Sequence, residues 1–257
     1  MTAPSGQPDL SLVIPAYNEE RRLGPTLEAV LAFLGDQPYT SEVIVVSDGS
    51  RDGTRRVAEA AFAALDQSPA AKVTGRFVEY HPNAGKGRAV RTGVAHTTGR
   101  FVAFTDADLS TPIEELPRLV EKMDAGYDVV IGSRALPGSR IEVHQPWYRE
   151  NMGRLYNLFV RALALPGLRD TQCGFKLWSA AAADDAFAAA RLDGFTFDVE
   201  ALYVARKRGY RIAEMPVTWR NDAATRVGLG GGSRAFPDLL KIRWYDWRGR
   251  YEAGGEL

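Results

Sequence analysis

The chain reads as an α/β protein built on one largely parallel sheet, and three observations predict this. Apolar, β-branched runs alternate with helical patterns through the first half of the sequence. The runs are nearly continuous in apolar character, as strands covered on both faces must be. The first, second and fourth runs each end in a polar cluster, and ligands gather at the carboxyl ends of strands in such sheets.

In order, the strand candidates are Leu10–Ile14, Val43–Val46, Phe77–Tyr80, Phe101–Thr105 and Val129–Ile131. Helical periodicity lies between them over Glu19–Leu34, Thr54–Leu65, Lys86–Ala95 and Pro112–Met123. Asp52 and Thr111 are placed to cap helices, and Pro112 suits a first turn. The second half is less regular. It predicts a loop near 135–147, an amphipathic helix from about 149 to 163, helices over 179–190 and 196–208, and strands near 172–178 and 212–218. A glycine cluster after Val227 leads into a basic aromatic helix, Arg234–Arg248.

With 257 residues, 45% of them hydrophobic and 25% charged, the chain is large enough to bury a real core. A single cysteine, Cys173, excludes an internal disulfide, and residues 1–9 lack the basic and apolar regions of a secretory signal, so a cytoplasmic setting is expected. No apolar run reaches the ~18 residues of a spanning helix. The formal charge is zero and points to no nucleic-acid partner, but it is uneven: residues 1–130 hold 13 Lys/Arg against 18 Asp/Glu, and residues 131–257 hold 19 against 14. The second half is therefore the expected home of an anionic ligand.

Asp106 and Asp108 leave the fourth strand at i and i+2, where two carboxylates can converge on one hard divalent cation, Mg²⁺ or Mn²⁺. An isolated Asp-x-Asp is an ordinary surface turn; its place after FVAFT favours the site. Asp48 could accept hydrogen bonds from a ribose or base, against the plain alternative of an Asp-Gly turn. Asn83 to Arg88 opens a helix with glycines and Lys86, able to approach a phosphate. It matches neither the P-loop nor the dinucleotide glycine pattern, which counts against NTPases and dehydrogenases.

The runs SLVIPAYNEE, VIVVSDGSRDGT, NAGKGRAVRTG, TDADLSTP, VIGSR and RDTQCGFKLW, in that order from Leu10 to Trp219, resemble family-2 inverting glycosyltransferases of the GT-A, Rossmann-like fold. The likeness is strongest to dolichyl- and polyprenyl-phosphate sugar transferases. DTQCGFKLW and FDVEALYVA look more like the glucosyl than the mannosyl members, which implies UDP-glucose as donor; GDP-mannose is the alternative. The resemblance implies that Pro15, Ala16, Tyr17, Glu19 and Asp48 hold the nucleoside, with Asn83 and Lys86 beside it. It gives Asp106 and Asp108 the sugar and metal-diphosphate, assigns Arg134 and Arg149 to sugar or phosphate groups, and places Asp170 and Lys176 on the acceptor side. Ser110 stands where mannosyl relatives tend to carry glutamine, so a metal contact there is not implied. The implied organisation is a transferase domain over 1–226, with a nucleotide half at 10–133 and an acceptor half at 134–226, followed by a C-terminal extension at 227–257.

A phosphate acceptor is already anionic at neutral pH and needs no general base, unlike a hydroxyl acceptor. No histidine is well placed as a base, although Asp198 and Glu200 remain open as candidates on a helix. Arg134, Arg140, Arg149, Lys176 and Arg234 supply cations for phosphates. A polyprenyl phosphate must be drawn from a membrane surface. In the C-terminal helix, Phe236, Leu239, Leu240, Trp244 and Trp247 share one face with Arg234, Lys241 and Arg248 opposite, which suits either interfacial lipid contact or packing on the core. Met152, Leu155, Tyr156, Phe159, Val160 and Leu163 form a second stripe expected to pack in the core. Many members of the resembled group add C-terminal spanning helices; this chain, ending soon after Trp247, is expected to attach peripherally.

Overall fold

A computed structural model of the protein describes residues 6–65, 72–144, 146–221 and 235–252. Nine strands and eight helices alternate along them. The strands are β1 (Leu10–Ala16), β2 (Ser41–Asp48), β3 (Val73–Tyr80), β4 (Phe101–Phe104), β5 (Val129–Ser133), β6 (Arg140–Val143), β7 (Lys176–Ser179), β8 (Ile212–Pro216) and β9 (Thr218–Arg220). The helices are α1 (Leu23–Gly35), α2 (Thr54–Leu65), α3 (Lys86–Val94), α4 (Leu116–Asp124), α5 (Trp147–Leu163), α6 (Ala180–Ala189), α7 (Phe197–Lys207) and α8 (Ala235–Trp247).

Seven strands form one sheet in the order β3-β2-β1-β4-β7-β5-β8. All its pairings are parallel except those of β7, which runs antiparallel between β4 and β5. Successive residues of the inner strands serve opposite faces. Val13, Ile44, Val46, Val102 and Phe104 pack toward α3, α6 and α7, while Leu12, Ile14, Val43, Val45 and Ala103 pack toward α1, α2 and α4. Both faces are therefore dry, which is why these strands read as unbroken apolar runs.

Three details depart from the sequence reading. The first helix starts at Leu23 rather than Glu19, because the preceding amides are captured by the β2–α2 loop: Glu19 N–H donates to Thr54 Oγ1 and Glu20 N–H to Asp52 Oδ2. Asp52 does receive the Thr54 amide at 3.0 Å, at the start of α2. Thr111 caps nothing; its hydroxyl lies 3.7 Å from Cys173 Sγ, and a 3-10 turn begins after Pro112. The expected loop at 135–147 contains β6, which pairs in parallel with β9 as a small second sheet. The glycine cluster and Arg234 lie outside the described residues.

Candidate active site

The three polar clusters emerge side by side, since β1 lies between β2 and β4. Pro15 and Ala16 close β1 beside Val46 and Ser47, and Tyr17 beyond them is exposed. Asn18, at φ 54°, donates its amide to Ser50 Oγ and accepts Arg51 N–H at Oδ1. Glu19 is held by a fork of two 2.6 Å hydrogen bonds from Arg22, and the same guanidinium comes within 3.8 Å of Asp108. Arg22 thus ties the first cluster to the Asp-x-Asp turn.

Asp48 is buried, and both its oxygens are occupied by the loop before α3. Oδ1 accepts from Ala84 N–H at 2.7 Å; Oδ2 accepts from Gly85 N–H and Asn83 Nδ2, each at 2.8 Å. A carboxylate gripping consecutive amides fixes that loop firmly. Gly49, at φ 68°, permits the approach, because a Cβ there would lie 2.7 Å from the Asn83 nitrogen. The loop in turn delivers Lys86, whose ammonium lies 2.5 Å from Asp106 Oδ1. Asp48 and Asp106 therefore belong to one connected network.

The Asp106–Ser110 turn carries Leu109 at φ 46°, a conformation that costs a branched residue energy and marks a turn held in place by its surroundings. Thr26 Oγ1 supports it through the Ala107 carbonyl at 2.6 Å, and Asp108 Oδ1 accepts Ser110 N–H. Gly174 presses on Asp106 so closely that a Cβ would meet Oδ2 at 2.1 Å. Burial raises the Asp106 carboxyl, but the charge and hydrogen bond of Lys86 together with the charges of Lys176 and Arg134 hold the group below the ordinary range. The Asp108 carboxyl moves the other way, raised first by burial and then by the charge of Asp106.

Arg134, just past β5, forks onto Asp170 with Nε 2.7 Å and Nη2 2.9 Å from the carboxylate, above the Trp219 ring at 5.4 Å. Among the described residues its Nη1 has no hydrogen-bond partner, so one edge of the fork remains for a ligand. Asp170 is buried and orients Arg134. Lys176 is an interior lysine: its side chain has no exposed surface, and Nζ donates to Asp198 at 2.6 Å and to the Cys173 carbonyl. Asp198 is thereby neutralised. Glu200, the other candidate base, accepts the Arg191 and Leu192 amides and the Tyr251 hydroxyl. Arg149 lies in the first turn of α5, half-buried, with no side-chain partner among the described residues; Arg140 is exposed on β6.

A family model described as glycosyl transferase family 2 matches residues 11–187. The chain belongs to that family. Among its relatives, the dolichyl-phosphate beta-glucosyltransferase of Homo sapiens is 35% identical over 91% of this chain and 74% of its own length, and that of Dictyostelium discoideum is 32% identical over the same shares. Among solved structures, glucosyl-3-phosphoglycerate synthase from Mycobacterium tuberculosis with Mn²⁺, UDP and phosphoglyceric acid superposes with a TM-score of 0.68. It shares 20% identity, over 98% of this chain and 81% of that one. That likeness shows a shared GT-A fold for this family-2 glycosyltransferase.

Arg22 and Gly174 were not found from sequence. Arg22 stands in a run of four charged residues that reads as solvated surface, and Gly174 gives no signal until Asp106 is placed against it.

Proposed function

We propose that the chain transfers glucose from UDP-glucose to a dolichyl or other polyprenyl phosphate, working at a membrane surface. The observation that carries this reading is the joining of Asp48, the 83–86 loop, Asp106 and Asp108 into one charged network, with Arg134 and Arg149 beyond it. The relatives' names supply the sugar and the acceptor class.

A divalent cation fits the Asp106–Asp108 pair. Both donors are hard oxygens, and the burial and the neighbouring Asp106 charge that raise Asp108 are what a cation would offset. Among the described residues no third acidic, histidine or cysteine ligand joins them, so diphosphate oxygens and water would complete the shell. When bound, the cation neutralises charge on the departing diphosphate.

The chain's own residues hold the reactants. Lys86 offers a cation beside the diphosphate, and Pro15 to Glu19 frame the nucleoside, with Asp48 holding the 83–85 loop beside it. Arg134 and Arg149 receive phosphate oxygens, placing the acceptor oxygen to attack the anomeric carbon as the bond to the diphosphate breaks. The engagement of Asp198 with Lys176, and of Glu200 with backbone amides, supports an acceptor that needs no base.

No helix among the described residues is long and apolar enough to cross a membrane. Lipid contact is assigned instead to the outer faces of α5 and α8, which carry Trp147, Leu155, Leu158, Leu240 and Trp247 in the open. A transfer assay offering polyprenyl phosphate with labelled UDP-glucose, UDP-galactose or GDP-mannose tests the reading. Label should enter lipid from UDP-glucose; transfer from GDP-mannose alone would refute the donor, and transfer only to a soluble hydroxyl would refute the acceptor.

A further inference from the structure

The segment after α8 reaches the donor site through an unbroken path. Tyr251 is fully buried, its ring packed against Tyr203 and Tyr245, and its hydroxyl donates to Glu200 Oε1 at 2.6 Å. The other oxygen of Glu200 accepts the amides of Arg191 and Leu192 at 2.8 and 2.7 Å. The carbonyl of the next residue, Asp193, accepts Gly87 N–H at 2.8 Å and Arg88 N–H at 3.3 Å, in the first turn of α3. Arg91 fastens the same loop through Asp193 and the Ala190 carbonyl.

The seam leaves no slack: a Cβ on Gly85 would lie 2.4 Å from the Asp193 carbonyl, and one on Gly87 would lie 2.6 Å from that of Leu192. Lys86 sits between these two glycines with its ammonium on Asp106. Asp48 grips the 83–85 loop from one side, and the 191–193 loop braces it from the other.

We infer that Tyr251 and Glu200 are positioning residues for the donor site: the C-terminal segment, through the 191–193 loop, sets the backbone that carries Lys86. A buried carboxylate that accepts three hydrogen bonds across its two oxygens is suited to this, since losing one partner leaves its charge under-satisfied and the loop free to shift. The inference rests on the proposed use of Lys86 at a nucleoside diphosphate.

The test is Tyr251→Phe, which keeps the ring and removes the hydroxyl. UDP affinity with Mn²⁺, read by calorimetry, should fall about five- to tenfold, a coupling of ordinary size for residues along such a path. In the nucleotide-free protein, hydrogen exchange at the Gly87 and Arg88 amides should accelerate. Glu200→Gln should retain affinity, because its carbonyl can face the two amides while its NH₂ donates to the Tyr251 oxygen. Leu239→Ala, a core truncation in α8 off this path, should lower Tm without either effect. Arg91→Lys loosens the same loop from the α3 side and serves if Tyr251→Phe does not fold. Faster exchange without a change in affinity would overturn the role at the donor, and unchanged exchange at both amides would overturn the brace itself. If the unaltered chain binds no UDP, the donor reading fails, whereas UDP binding that Tyr251→Phe leaves untouched defeats this inference alone.

Discussion

Asp106 and Asp108 lie two residues apart, yet Lys86 neutralises the first while the second meets burial and its neighbour's charge. Asp108 is therefore the carboxyl that protonates first as pH falls, at a higher pH than an ordinary aspartate. Mn²⁺ binding to the metal-free protein should weaken on the acid side, and Asp108→Asn should remove that pH dependence along with most metal-dependent turnover; an unchanged binding profile in the variant would exclude the residue. Gly174→Ala should displace the Asp106 carboxylate, and a shift near 1 Å at a reacting centre costs about a hundredfold in rate. Tm in that variant should move much less. Such contacts explain what could be read at this scale. The aspartates were legible because their spacing after an apolar strand has a chemical meaning. Lys176 was legible as a lysine within a motif, whereas its enclosure by Asp198 carries no signal in the sequence.

At the scale of elements, α8 and α5 are where patterning was least decisive. One apolar face was expected on α8, but the helix has two stripes: Ala235, Leu239 and Ile242 are buried, while Phe236, Leu240, Trp244 and Trp247 face outward. Arg248 stacks on Trp244 and Trp247, and Arg250 on Trp244, so the arginines lie among the tryptophans rather than opposite them. On α5 only Tyr156 and Val160 are buried, and Met152, Leu155, Phe159 and Leu163 are open, against the expected core role. Phe159 and Phe236 meet edge-to-face at 5.3 Å and join the helices into one surface. A periodic stripe states which residues share a face and is silent about what covers it. Sedimentation with anionic vesicles should bring the protein down, and Trp247→Ala with Leu240→Ala should release it with UDP affinity intact. Equal sedimentation would remove α8 from the contact.

For the whole molecule, the parallel half of the sheet was legible because doubly covered strands must be apolar, whereas the strand order came only with the structure. The β6–β9 pair was not, since its partners are far apart in sequence and short. Stability should carry the signature of Asp170: burial alone would raise its carboxyl, but Arg134 prevails and holds it low. A depressed carboxyl contributes stability above its unfolded pKa of about 3.9, lost as pH falls through the folded value. Tm measured from pH 6 downward should therefore drop more steeply in the unaltered protein than in Asp170→Asn. That variant should itself be about 1–3 kcal/mol less stable at neutral pH, because it removes the charge partner of Arg134, whose side chain is 28% exposed, and leaves one oxygen acceptor in place.

The reversed strand β7 has a consequence for how the chain comes into being. Residues 176–179 must slot between β4 and β5, so a ribosome that has released only the first 130 or so residues leaves two naked strand borders with no mate. Until that late insertion the half-made sheet is a template for other chains, and its maturation waits on pairing across some 70 residues of sequence. Nascent-chain handling should therefore bear on how well this protein is produced.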